Sequence, residues 1–447
     1  MQEENPAGLF SKLPAEIVQH IAYLLPRDID VINLARTCFS LADRILPAKS
    51  HVWSNRFQDL YDTPEGRPPV VLKLEYQIRR IVLPQRINFS RDEHEAQTLW
   101  LEVVKGMLLE SLSLPARQGQ TTSKTLEMLC KVLFDSEFLN RPSNGYGETH
   151  RSAPSDLFCA VQLCLTDVAL DPSMCVRCCR KDYDAGAVYS FESDIKKQLV
   201  NSGNLDLERM LHIRNFWLRH LLNPDEASYH DSFHKLGENL RPTGQKPLHE
   251  ESSKPSSYWL GYDSCLHPHP ETLNDFGDRQ TCGDLDTHLT QVDPMSLQIE
   301  LHPCSGNWPF IFDDIIPIQG PTQNCSFFRG IKHTHGSNDE PRLVRGFMEP
   351  VPLPQGGFPG WNRICFAIYK ANREIFPVYD TGEGEGTEDG TLVFPNEACL
   401  PTDFQLDFHS IRLYEGMMLP GGRIIVGRYV DMLDAEERGG PFIFWDI

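Results

Sequence analysis

Around residue 255 the spacing of apolar residues changes, and no other feature constrains the fold as much. Before that point "KLPAEIVQHIAYLL", "EAQTLWLEVVKGMLLESL", "TLEMLCKVLF" and "MLHIRNFWLRHLL" repeat apolar residues every three or four positions, the period of an amphipathic helix. After it come "SYWLGYDSCL", "SLQIEL", "CSFFRGIKHTH", "RLVRGFMEPV", "WNRICFAIYK", "FHSIRLYEGMML", "RIIVGRYVDML" and "PFIFWDI". These are short, aromatic and β-branched, and turn residues separate them, as in strands. A chain of 447 residues exceeds the usual size of one core. The two halves therefore predict an α+β multidomain protein.

In the second half, residues 255–447, Gly261, Gly330, Gly346, Gly416 and Gly427 each interrupt a bulky strand. Mid-strand glycine marks a bend, a bulge or a close backbone approach, which a strongly coiled sheet needs. The expectation is an antiparallel β-barrel-like domain or a curved β-sandwich. At the end of the chain, alternation points Phe442 and Phe444 one way and Ile443 and Trp445 the other. Both faces are apolar, so the last strand is expected to be interior.

Near the start, Leu13, Ile17, Ile21, Leu24 and Leu25 fall within roughly 120° of a helix surface, while Glu16, Gln19 and Tyr23 point away. Pro14 suits the first helical position. "PRDID" ends this helix, Asp28 or Asp30 caps a second one through Ile32, Leu34 and Ala35, and "SLAD" reads as a capping box opening a third. Three helices this short cannot bury all their apolar faces among themselves, which leaves a patch for a partner.

Residues 57–254 read as a mostly helical connector, with 210–222 a core helix and 223–256 a linker ending at a boundary near 255. Its Cys-rich segment 159–179 offers Cys159, Cys164, Cys175 and Cys178, a spacing that can supply four thiolates to a structural zinc. Equally, Cys159 and Cys164 suit small core positions. Thirteen cysteines are an odd number, and no signal peptide precedes them, so reduced thiols and unused sequons at Asn88 and Asn324 are expected.

"MQEENPAGLF" lacks a basic leader, and no apolar run approaches the roughly 18 residues a spanning helix needs, which points to cytoplasm or nucleus and away from a membrane. With 62 acidic against 42 basic side chains, the charge of −20 makes nucleic acid a poor partner. Hydrolase elbows, zinc-protease motifs and phosphate loops are missing, and the acidic "TGEGEGTEDG" would repel phosphate. No cofactor is expected on this reading. The alternative is a metal-dependent β-barrel enzyme with an incidental helical bundle. It would use His267, His269, His302, His333 and His335, since residues two apart on a strand share a face.

"LPAEIVQHIAYLLPRDIDVINLARTCFSLADRIL", followed by "VWSNRF", resembles the F-box and places it at residues 9–56. The resemblance implies docking onto a Skp-type adaptor, and through it a cullin scaffold. Leu13, Pro14, Ile17, Ile21, Leu24, Leu25, Ile32, Leu34 and Cys38 match the positions that pack on the adaptor. "IRNFW", "WLGYDSCLHP", "RQTC", "HTHG", "RGFMEP", "GFPGWNRICFAIY", "YEGMMLPGGRIIVGRYVDM" and "GPFIFWDI" look like a group of filamentous-fungal F-box proteins, a likeness covering nearly the whole chain. It implies a noncatalytic substrate receptor of an SCF-type ubiquitin ligase, with the β domain recruiting a target protein. The β domain is also faintly similar to barrel substrate domains of some animal F-box proteins, an analogy of fold alone.

Overall fold

A computed structural model describes residues 13–63, 66–87, 89, 94–113, 123–140, 154–178, 183–189, 198–242, 257–264, 292–302, 308, 312, 315–335, 341–370, 411–431 and 439–447. The chain divides into two compact units, Met1–Phe138 with Gln245–Glu250, and Leu139–Gly244 with Glu251–Ile447.

The first unit is helical: α1 (Ala15–Tyr23), α2 (Asp28–Arg36), α3 (Phe39–Ile45), α4 (His51–Leu60), α5 (Pro69–Val82), α6 (His94–Ser113) and α7 (Lys124–Ser136). Pro14 occupies the N-cap position of α1, one residue earlier than expected. Asp28 does not cap α2, because its carboxylate is taken by Arg56, Tyr76 and Arg80, and α3 begins at Phe39 behind an extended Cys38 with no side-chain cap. The "SLAD" capping box is therefore not formed. Val18, Ala22, Val31, Ala35, Leu41 and Ile45 make the core of α1–α3 with Trp53 and Phe57 of α4. The Trp53 indole N–H donates to the Ile45 carbonyl at 3.1 Å. Deeper in the unit, Arg79 lies 5.0 Å over Phe57 and 4.5 Å over Tyr61 and pairs with Glu110 at 2.5 Å, which ties α5 to α4 and α6.

The second unit opens with α8 (Asp156–Cys164), α9 (Thr166–Leu170) and α10 (Ala185–Val188). A hairpin follows, β1 (Val200–Asn201) and β2 (Asn204–Leu205), then α11 (Leu207–Leu222) and α12 (Ala227–Lys235). The strands are β3 (Tyr258–Asp263), β4 (Met295–His302), β5 (Ser326–Thr334), β6 (Arg342–Pro350), β7 (Asn362–Tyr369), β8 (Arg412–Met418), β9 (Ile424–Asp431) and β10 (Gly439–Asp446). They form a closed barrel in which each strand pairs antiparallel with the next and β10 returns to β3, with Phe444 opposite Gly261. Of the two predicted architectures the barrel is the one formed, and the final strand is interior, paired on both edges and buried along its length.

One residue parity from every strand meets in the lumen, including Trp259, Leu297, Phe328, Phe366, Tyr414, Tyr429, Phe442 and Phe444. The strand glycines share this parity. A Cβ at Gly346 would run into the Phe328 ring, and one at Gly416 would come within 2.6 Å of Phe442. At Gly261, Gly330, Gly346 and Gly427 a Cβ would also come within 2.4 Å of a carbonyl oxygen on the neighbouring strand, so these positions show the close backbone approach that the sequence suggests, with aromatic rings filling the space beside it.

α11 is buried nearly all round and lies on the outer side of β9 and β10, where Trp217 stacks on Tyr262 at 6.4 Å. Residues 223–256 were expected as a linker, yet they contain α12, whose Phe233 packs edge-on against Trp445 at 5.7 Å. Only Tyr229 and Phe233 of α12 are large and buried, too few for the helical period to stand out. The segment before residue 244 therefore belongs with the barrel, and the predicted boundary near 255 does not separate the two compact units.

Outside the barrel wall, Glu415 accepts from Arg363 at 2.9 Å and from Arg428 at 2.9 Å, all three side chains being almost fully buried. Arg363 also pairs with Glu349 at 2.6 Å. Burial alone would raise the Glu415 pKa, but the two guanidinium groups outweigh it and hold the pKa below its ordinary 4.5. Its stabilising contribution is thus complete above pH 4.5 and is lost as the pH falls through the lowered value. Glu415→Gln removes the carboxylate that both buried guanidinium groups share, leaving Arg363 only Glu349, and should cost about 3–5 kcal/mol in urea unfolding of the barrel unit.

Candidate functional site

α1, α2 and α3 bury one set of apolar residues and leave another in water. Val18, Ala22, Val31 and Ala35 are at most 1% exposed. By contrast Ile17 is 48% exposed and Leu24 65%. Pro14 and Cys38 are also exposed, while Leu13, Ile21, Leu25, Ile32 and Leu34 are half-buried. The structure buries none of the residues singled out from the sequence here, and it gathers them on the three-helix segment.

Polar side chains pin this face through backbone atoms. Arg44 donates to the Leu13 carbonyl at 2.6 Å, Gln19 donates to the Arg44 carbonyl at 3.0 Å, and Arg56 reaches the Tyr23 and Leu25 carbonyls. The last turn of α1 is thereby satisfied by a buried guanidinium.

Sequence reasoning passed over Ile29 and Phe39. Ile29 is exposed, and Phe39, the first residue of α3, is 87% exposed. Ile29 precedes Ile32 by three positions on α2, a spacing that would have revealed it. Phe39 follows Cys38 directly, and only the observed start of α3 shows it standing free.

The zinc candidates do not converge. Cys159 and Cys164 lie five residues apart on α8, about 140° around the helix, and both are buried. Burial pushes the Cys159 thiol up to about 12 and raises that of Cys164 well above its ordinary value. Cys175 is exposed and Cys178 half-buried. Among the described residues no three His, Cys, Asp or Glu side chains are grouped to hold a metal ion. His333 and His335 are exposed at the end of β5. His267, His269, the side chain of His302, Cys179, Asn88 and the loop 381–390 lie outside the described residues. No helix among the described residues is long and apolar enough to cross a membrane.

One end of the barrel lumen is polar. There Asp263 of β3 accepts from Tyr414 at 2.7 Å and pairs with Arg412 at 3.1 Å, and Arg412 lies 5.3 Å over the Tyr429 ring. Burial and the Asp263 charge raise the Tyr414 phenol well above its ordinary pKa, so it stays a donor to that carboxylate. Lys332 and Arg342, cross-strand neighbours of the same luminal parity, sit at this end too.

No family model matches the chain, and neither a curated protein nor a solved structure matches it.

The packing separates two classes of residue in the helical unit. Ile17→Gln should leave the melting curve unchanged within about 0.5 kcal/mol, as a surface change does. Phe57→Ala, at a fully buried position, should cost about 3–5 kcal/mol in the same measurement.

Proposed function

We propose that the protein is an F-box substrate receptor. In this reading α1–α3 dock on a Skp-type adaptor, and through it on a cullin scaffold, while the barrel unit recruits a target protein to an SCF-type ubiquitin ligase. The observation that carries the reading is the division of apolar residues in α1–α3. Val18, Ala22, Val31 and Ala35 complete the private core, and Ile17, Leu24, Ile29 and Phe39 are left over. Covering each such side chain contributes about 1.5–3 kcal/mol, so a few of them are enough to hold a partner. The F-box pattern of Leu13, Pro14, Ile17, Ile21, Leu24, Leu25, Ile32, Leu34 and Cys38 supplies the identity of that partner.

The receptor needs no catalytic residues. It holds a target beside a ubiquitin-charged enzyme and converts a bimolecular encounter into an intramolecular one, so modest target affinity suffices. In the barrel unit the polar luminal end carries the partly exposed charges of Asp263 and Arg412, which suits it to target recognition.

Co-purification with a Skp-type adaptor tests the reading. The native chain should form a stoichiometric complex, and Ile17→Asp should abolish it while the melting temperature stays put. An adaptor that ignores the native chain contradicts the proposal.

A further inference from the structure

α5 carries two apolar faces. Leu72, Tyr76 and Val82 are buried against the rest of the helical unit together with Arg79. The other face presents Val70, Leu74, Ile78 and Ile81, all exposed, with Leu74 at 56%. At about 100° per residue these four fall within about 80°, a single stripe running the length of the helix. A water-facing stripe of that kind is a recognition surface more often than an accident of composition.

We propose that this stripe extends the α1–α3 docking face and is covered by the same partner chain. The inference rests on the F-box reading and adds a second contact region outside residues 9–56. Two observations support it. The first is continuity. Asp28, the first residue of α2, accepts from Arg56 of α4 at 2.8 Å, from Tyr76 of α5 at 2.8 Å and from Arg80 of α5 at 3.0 Å. Exposed Ile29 follows Asp28, and exposed Ile81 follows Arg80, so one ion pair brings the two apolar regions together. Lys73 donates to the Leu46 carbonyl and lies 5.8 Å over Trp53, fixing the other end of α5 to the close of α3 and to α4.

The second is area. A stable interface takes about 800 Å² from each partner and engages about 20–30 residues a side. In α1, α2 and α3 the core takes Val18, Ala22, Val31, Ala35, Leu41 and Ile45, which leaves Ile17, Leu24, Ile29 and Phe39 as the exposed large apolar side chains, far fewer residues than an interface of that size engages. The stripe on α5 supplies further large apolar side chains in the same unit. One edge of it carries the cations Lys73 and Arg80. Both are engaged inside the unit, Arg80 by Asp28 and Lys73 by the Leu46 carbonyl, so what the stripe offers the partner is apolar surface.

The test is the affinity of the full-length chain for a Skp-type adaptor, measured by calorimetry for the native protein, Ile17→Gln and the double variant Leu74→Gln with Ile78→Gln. Glutamine keeps helix propensity, and all three positions are exposed. The expected result is at least a tenfold loss of affinity for both variants with unchanged melting temperatures. If Ile17→Gln weakens binding and the α5 variant binds within twofold of native, the extension is wrong and the F-box reading survives. If the native chain does not bind, both fall. Concentration-dependent self-association that the α5 variant removes would assign the stripe to a second copy and overturn the proposal. Should the first α5 variant unfold, Val70→Gln with Ile81→Gln carries the same test.

Discussion

Glu415 is the point on which the barrel unit depends. A carboxylate buried in the wall is tolerable only when its charge is answered, and Arg363 and Arg428 answer it from β7 and β9. Glu415 also accepts from the Leu199 N–H at the entrance to the small hairpin, and Arg363 reaches the Pro317 carbonyl and Glu349. Glu349 in turn accepts from the backbone of Gln319 and Gly320. One buried charge thus fixes three adjoining strand pairs and the two connections that cross them. Both guanidinium groups are ion-paired inside the unit.

The helical unit is built on the opposite principle. Its ion pairs, the buried Arg79 with Glu110 and Arg56 with the half-buried Asp28, hold helices together. Its front keeps large apolar side chains in water. A folded unit bears that cost when the exposed surface is covered in the working assembly. Under the proposed reading, this contrast suits a receptor whose helical unit is committed to a constant partner and whose barrel unit is a rigid frame for a variable one.

Much of this was legible in the sequence because it depends on period. The strands of the barrel, the interior final strand and the apolar stripe of α1 all follow from spacing that survives in three dimensions. The strand glycines located the strands and the close backbone approaches correctly, while the rings of Phe328, Phe366 and Phe442 that crowd the same positions come from other strands and no single strand reveals them. The attachment of α11 and α12 to the barrel was hidden for a similar reason. α11 was expected as a core helix, but the element it packs on is not legible from buried polar residues such as Arg209, Arg214, Arg219 and His220, since a partner such as Glu226 for Arg219 shows only in the fold. Asp28 looked like a helix cap and is an ion-pair hub, because Arg56 and Arg80 come from helices distant in sequence.

The division of labour between the two units is tested most directly by backbone hydrogen exchange of the full-length chain, free and with a Skp-type adaptor. The account predicts that added adaptor slows exchange in α1, α2, α3 and the outer face of α5 and leaves β3–β10 unchanged. Slowed exchange confined to the barrel strands, or no change in α1–α3, would contradict it.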